Sequence, residues 1–451
     1  YLLHLLLKLN WITTGILLGA AFLMLPLHSR ENEKKKRNES RFFQVSLYLD
    51  TILYAFLKEE KIEAAIHDAG LTLQEGTLKE AVLCCHEKLL MTTDDTSAME
   101  ESLGEIEKEF SCKRMHDIHA FMLHVEYYGG DIEKPVKLLL DDKNRWESRM
   151  KKAMEERKKK MTDIVMSVAA SILICGVILY LPVLDMDISE NWLIQIFALI
   201  VLMIDDVIIL RAQKYLSVDW LTLRFQEEED YYRKKMIEYK SYDEKKERKV
   251  SVITGSIALA VSIALFAFGN EWAAAIGMLV SVFLFGQHKI GRILMERTLT
   301  KEIKYAFPNW LLDLILLLQS ENVQVALQKS RLHVPGVLQE ELDRLLEHLE
   351  MEPESSKPYH GFLKDFSIPE VHSAMSGLYG ISIGNSSKGD RQVGELIEKN
   401  LELLDIAESK RLSDAGSGMY LLFLAPVLTA SFKLVMDMVI LMIYFIRTPM
   451  V

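Results

Sequence analysis

Cysteine is scarce. The chain has four in 451 residues (Cys84, Cys85, Cys112 and Cys175) and no CxxC pair. That excludes a disulfide framework and fits a reducing compartment. The adjacent Cys84 and Cys85 fall on an expected core face, where packing rather than redox chemistry is their role. Period-two runs of β-branched residues are missing from residues 41–160, which excludes strands there. No HExxH, nucleophile elbow or Rossmann glycine pattern is present, so no active site and no cofactor site is legible. The run Gly384-Asn385-Ser386-Ser387-Lys388-Gly389 lacks both the GxxxxGK[ST] order and a preceding strand, so it is not a nucleotide loop. Positive charge is in deficit, with a formal net charge of −11, which argues against a general nucleic-acid binder.

What is present is segregation. Half of the residues are hydrophobic and 26% are charged, yet the two kinds occupy different blocks. Residues 1–27 are apolar apart from His4, Lys8 and Asn10, so 1–28 holds enough for one transmembrane helix across a core that needs roughly 20 apolar residues. A cleaved signal peptide is the competing reading, but the run is long for one and no small-residue cleavage site follows. Hairpins of two spans are expected at 163–210 and 251–287, and a last span at 416–446. That stretch is broken by Pro426, Lys433 and Asp437; its length favours one kinked helix over two. Basic runs follow or precede the spans (Lys34 to Arg37, Arg157 to Lys160, Arg211 and Lys214, Lys289 onward), whereas the turn with Asp185, Asp187 and Glu190 has none. By the positive-inside rule the basic flanks are cytoplasmic.

Between the spans lie two blocks of soluble character, 41–160 and 288–411, joined by a charged helical connector at 211–250. In the first, Val45, Leu49, Ile52, Leu53 and Phe56 share one helical face, and Leu78, Ala81, Val82, Cys85 and Leu89 another; helices follow at 99–110 and 115–127, stopped by Gly129-Gly130. In the second, Leu338, Leu342, Leu345, Leu346 and Leu349 mark one helix, Val371, Ala374, Met375 and Leu378 another, and Val393, Leu396, Ile397, Leu401 and Leu404 a third. Pro308 is expected in the first turn of a helix that carries the apolar run from Leu311 to Leu318. The fold class is all-α membrane protein, with two cytoplasmic helical bundles of about six helices each alternating with transmembrane helices and hairpins. Glu60 to Ile66 aligns with Glu321 to Leu327, and Gly129-Gly130 with Gly384, as an internal duplication would produce.

Three sets of residues are candidates for function. Cys112, His116 and His119 are spaced i, i+4, i+7 on one helical face, as three zinc ligands would be; no fourth ligand stands at a metal spacing, and a bundle helix with partly exposed histidines explains them as well. Asp205 and Asp206 lie inside a span, where ionisable groups are costly and mark function by default; they stand near its cytoplasmic end, so snorkelling to water competes with a contact to a neighbouring helix. The basic residues Lys289, Arg292, Arg297, Lys301 and Lys304 leave the second hairpin, placed to meet anionic headgroups, an acidic partner surface, or both.

The order of membrane hairpin, basic helix, FPNWLLDLILLLQSENVQVAL at 307–327, leucine-striped helix, Gly loop and final span resembles the type II secretion system F family. Within it the resemblance is nearest to the TadB and TadC platform proteins of Tad (Flp) pili, here as a fused two-domain form with residues 252–451 as the TadC-like half. It covers most of the chain and is most specific from Lys289 to Leu404. Where the family commonly has a glycine between its first two bundle helices, this chain has Glu60-Lys61 and Glu321-Asn322; Asn takes the left-handed conformation more readily than Lys. The resemblance implies a non-enzymatic platform in the cytoplasmic membrane. Its implied partners are a hexameric assembly ATPase, pilin or pseudopilin subunits, membrane lipids and further copies of itself, with no nucleic acid. The implied role of Asp205 and Asp206 is then a contact to pilin or to a neighbouring helix. The alternatives are a transporter or channel with large cytoplasmic domains, which would need polar residues spread through several spans, and a membrane-bound enzyme, which metal at Cys112, His116 and His119 would favour.

Overall fold

Among the described residues of the computed structural model, every regular element is a helix. The structure describes all residues except 1, 92–95, 130, 131, 181–190, 222–225, 270, 319, 320, 385 and 448–451. The expected outer loop with Asp185, Asp187 and Glu190 therefore lies outside the described residues, as do Gly130 and Asn385.

In chain order the helices are α1 (Leu2–Leu6), α2 (Trp11–Glu59), α3 (Ile62–Thr72), α4 (Thr77–Met91), α5 (Thr96–Glu109), α6 (Lys113–Tyr128), α7 (Glu133–Val177) and α8 (Trp192–Leu216). There follow α9 (Gln226–Lys240), α10 (Glu244–Ala267), α11 (Glu271–Leu317), α12 (Val323–Ser330), α13 (Gly336–Met351), α14 (Lys357–Gly361), α15 (Pro369–Ile383), α16 (Ser386–Ala415) and α17 (Gly418–Arg447). Among the described residues six segments are long and apolar enough to cross a membrane: α2, α7, α8, α10, α11 and the stretch Gln392–Ile443 that includes most of α17. The chain thus has the character of a helical membrane protein, and α17 is a single helix through Pro426.

The first span departs from the expected helix over 1–28. It breaks at Lys8, whose φ is +43°, and restarts at Asn10, whose side chain accepts from the Thr13 amide at 3.3 Å. Asn is among the strongest N-caps, because its side chain satisfies an amide that the helix leaves unpaired. From there α2 runs without interruption through Pro26 and the basic run to Glu59.

The chain divides into two units. The first holds Tyr1–Tyr128, Leu139–Leu223 and Ser409–Val451. The later half of α2 enters its core with Val45, Leu49, Ile52, Leu53 and Phe56, all inaccessible; α3 and α6 pack on α2, and α4 packs on α3. Glu60 ends α2 in the left-handed conformation, with φ +55°, while Lys61 is extended and starts α3. The strain expected at Lys61 therefore falls one residue earlier. Lys143 of α7, 1% exposed, sits between Asp50 of α2 and Glu147 on its own helix. Burial raises the Glu147 carboxyl, but the ammonium groups of Lys143 and Lys151 outweigh it and hold the group at about 2. The final span α17 also packs in this unit, against α8, although its sequence neighbours belong to the expected second half.

The second unit holds Gly129–Leu138 and Arg224–Glu408. Its core gathers Ile303, Phe307, Trp310, Leu311 and Leu314 of α11 with faces of α12, α13, α15 and α16. Pro308 does not begin a helix. It lies deep inside α11, where a proline removes one backbone bond. Two side chains work at this place: Asn309 Nδ2 donates to the Tyr305 carbonyl at 2.8 Å, and Asn400 Nδ2 of α16 to the Pro308 carbonyl at 3.0 Å. The expected connector is also more than a solvated link. Its helix α9 buries Met236 in this core, and Lys240 pairs with the buried Glu341 of α13. The α10–α11 hairpin packs closely, with Gly255 against the Phe285 ring and Ser281 Oγ donating to the Gly255 carbonyl at 2.9 Å; small residues permit such approach between membrane helices.

The proposed repeat has a geometric counterpart. Ile62, Ala65 and Ile66 of α3 are buried, and so are Val323, Ala326 and Leu327 at the aligned positions of α12. Each short helix follows a long span-bearing one. The turns differ, however: Asn322 is extended and caps α12 by accepting from the Val325 amide, and Gly129 is left-handed where Gly384 is not.

Replacing Lys143 by Met should destabilise the first unit by about 2–3 kcal/mol, since two carboxylates lose their shared cation. Thermal unfolding of the protein in detergent measures it; an unchanged midpoint would show that Lys143 ties α2 to α7 by its stem alone.

Candidate functional site

The most unusual chemistry lies within the spanning helices of the first unit. Asp205 of α8 is 2% exposed and accepts from Ser171 Oγ of α7 at 2.9 Å. One turn further along α7, the Cys175 carbonyl accepts from Lys433 Nζ of α17 at 3.3 Å. Lys433, fully buried, also pairs with Asp437, one turn away on its own helix. In the other direction, one turn before Ser171, Ser167 Oγ donates to the Phe423 carbonyl at 2.6 Å and ties α7 to α17 again. Oδ1 of Asp205 and Oδ1 of Asp437 have no hydrogen-bond partner among the described residues.

Asp206 has a different environment. It is 37% exposed on its side chain and lies 3.2 Å from His28 Nε2 of α2, whose Nδ1 is 2.7 Å from Gln213 Oε1. The two adjacent aspartates, read alike from the sequence, therefore part company: Asp206 reaches an accessible neighbour and Asp205 does not. Sequence reasoning took Lys433 and Asp437 only as interruptions of a span. Their i, i+4 spacing is the signal that identifies a pair. Ser171 and His28 carry no such signal, because only the packing brings them to the aspartates.

The basic stretch lies on α11. Lys289, Arg292, Arg297, Lys301 and Lys304 are exposed. The spacing of Arg297, Lys301 and Lys304 gathers them on one helical face. Arg292 lies over the Tyr242 ring and 3.8 Å from Glu244, and Lys304 is 3.9 Å from Glu370 of α15. Such a face can attract a phosphate-rich or acidic surface, with the strength of each exposed pair limited by solvent screening.

Cys112 is a buried free thiol, and His116 and His119 have other partners. Nδ1 of His116 and Nδ1 of His119 donate to the two oxygens of Glu107 in α5, at 2.8 and 2.7 Å, and His119 Nε2 is 2.8 Å from the Tyr48 hydroxyl. Among the described residues no group of three metal-ligating side chains gathers. Burial pushes the Glu107 carboxyl up, but the hydrogen bonds from His116 and His119 prevail and hold it at about 2. Burial likewise pushes the Cys85 thiol up to about 12, far from nucleophilic use, while Cys84 is exposed. A cleft of about 450 Å³ lies beside α13 and α14. Its buried carboxylate, Glu341, is occupied by Lys240 and by the Leu363 amide.

Because the Glu107 carboxyl is held below its unfolded value of 4.5, its stabilising contribution is full above that pH and fades as pH falls toward about 2. The thermal midpoint of the native protein should fall faster than that of Glu107→Gln between about pH 5 and pH 3. Parallel curves would remove the α5–α6 bridge from the account.

Compared with protein-family models, curated proteins and solved structures, the chain matches none of them.

Proposed function

We propose that the chain is a platform protein of the cytoplasmic membrane, serving a filament-assembly or secretion machine of the type II secretion F kind. In this reading it couples a hexameric assembly ATPase to the extraction of pilin-like subunits from the bilayer, and it catalyses no reaction itself. The observation that carries the reading is helix continuity. α2 and α11, of 49 and 47 residues, each pass from a span into the core of a packed helical domain without a break. A push or rotation applied to either domain is then transmitted to the bilayer by a rigid rod.

Sidedness is supported by where the basic flanks meet. Lys158 of α7 lies 3.4 Å from Glu39 of α2, Arg157 Nη1 donates to the Tyr215 carbonyl of α8, and Asn38 Nδ2 donates to the Ser217 carbonyl. The basic ends of three spans thus share one level, as the positive-inside rule requires for cytoplasmic domains. On this reading the face of Arg297, Lys301 and Lys304 serves the ATPase or the anionic leaflet. A transporter has one observation in its favour, the buried charges of α8 and α17; ion flux in reconstituted vesicles would establish it.

Charge reversal at Arg292, Arg297 and Lys301 should abolish filament assembly while the protein stays in the membrane at normal abundance. Normal assembly would leave the α11 face a lipid-facing bystander. A cysteine at Ser189, outside the described residues, should react with an impermeant reagent added outside cells, and one at Ser356 should not. Reaction at both would overturn the topology.

A further inference from the structure

The buried charges do not balance. Among the described residues of the α7, α8 and α17 spans the structure buries one ammonium, Lys433, and two carboxylates, Asp205 and Asp437, each at most 2% exposed. Lys433 is committed to Asp437 and to the Cys175 carbonyl. Asp205 receives a single hydroxyl, from Ser171, and its second oxygen is buried without a partner. An ionised carboxylate in such a place lacks the hydration, the cation and the hydrogen bonds that would stabilise it.

We propose that Asp205 is a proton-binding site within the membrane, and that the proton it takes from water neutralises the Asp205–Lys433–Asp437 cluster. The step is simple: the carboxylate gains one proton, and the cluster then holds one ammonium against one carboxylate. The anchoring points on α7 couple the groups. Ser171 and Cys175 stand one turn apart, so Asp205 and Lys433 engage successive turns of the same helix. The other titratable groups near α8 here are Asp206 and His28, which pair with each other. A metal cation is the rival occupant. It needs several oxygen ligands, and among the described residues no group of three acidic, histidine or cysteine side chains is gathered to hold one. This site stands independently of the platform reading, since it rests on charge balance in the first unit alone.

The test is pH-dependent infrared difference spectroscopy on the full-length protein in lipid nanodiscs. A protonated-carboxyl band should be present at neutral pH and vanish in Asp205→Asn. It should vanish as well in Asp437→Asn, because Lys433 would then take Asp205 as its only counter-ion. If Asp205→Asn does not fold, Asp205→Glu carries the same test, and the band must move in frequency. A missing band in the native protein, a band unchanged by substitution at Asp205, or its loss on adding sodium at fixed pH would each overturn the proposal, the last in favour of a cation site.

Discussion

A spanning segment in lipid must satisfy its own backbone, and this constraint shapes the whole chain. Helices meet it internally, and here they continue well past the bilayer. At 1.5 Å per residue α2 is about 74 Å long, more than twice a hydrocarbon core. The same rod therefore supplies the span at one end and the core of a folded domain at the other, with Phe42, Val45 and Leu49 buried some twenty residues beyond the apolar stretch. α11 repeats the arrangement, and even Pro308 does not end it. The bond that the proline removes is the one to the Lys304 carbonyl; Asn309 and Asn400 donate to the nearby Tyr305 and Pro308 carbonyls instead.

Polar groups follow the same logic of obligatory pairing. Outside the spans they tie helix to helix: Lys143 to Asp50, Lys240 to Glu341, and Glu107 to two histidines. Among the described buried residues of the α7, α8 and α17 spans, pairing is incomplete by one positive charge. A fully paired cluster would be a structural rivet; an unbalanced one has room for a change of charge. Two properties that a membrane platform would use are thus built into one unit: a stiff connection to the water phase, and a group in the bilayer whose state can vary.

Much of this was legible in the sequence where a pattern is local. The six spans follow from apolar length, and the core faces of α2, α4, α13 and α15 from helical periodicity, since each depends only on residues three or four apart. Ala81, expected inside, is only half-buried, because the period marks a face and not its edges. Packing choices between distant segments were not legible. The charged look of residues 226–240 hides the single stripe of Tyr232, Met236 and Tyr239 that docks into the second core. α17 follows the second domain in sequence yet packs with α8, since nothing in its composition names a partner. The zinc spacing of Cys112, His116 and His119 was real as a spacing, but Glu107 on another helix takes both ring nitrogens. For Asp205 and Asp206, adjacency concealed a rotation of about 100° around α8, enough to bury one and expose the other.

The central claim is that rigid helices link a membrane domain to an assembly motor. It is tested most directly by measuring binding of the intact protein, in nanodiscs, to the assembly ATPase of its own organism. The account predicts a specific complex that weakens as salt is raised and is lost when Arg297, Lys301 and Lys304 are reversed in charge. An intact, folded protein that shows no binding at low salt would contradict it.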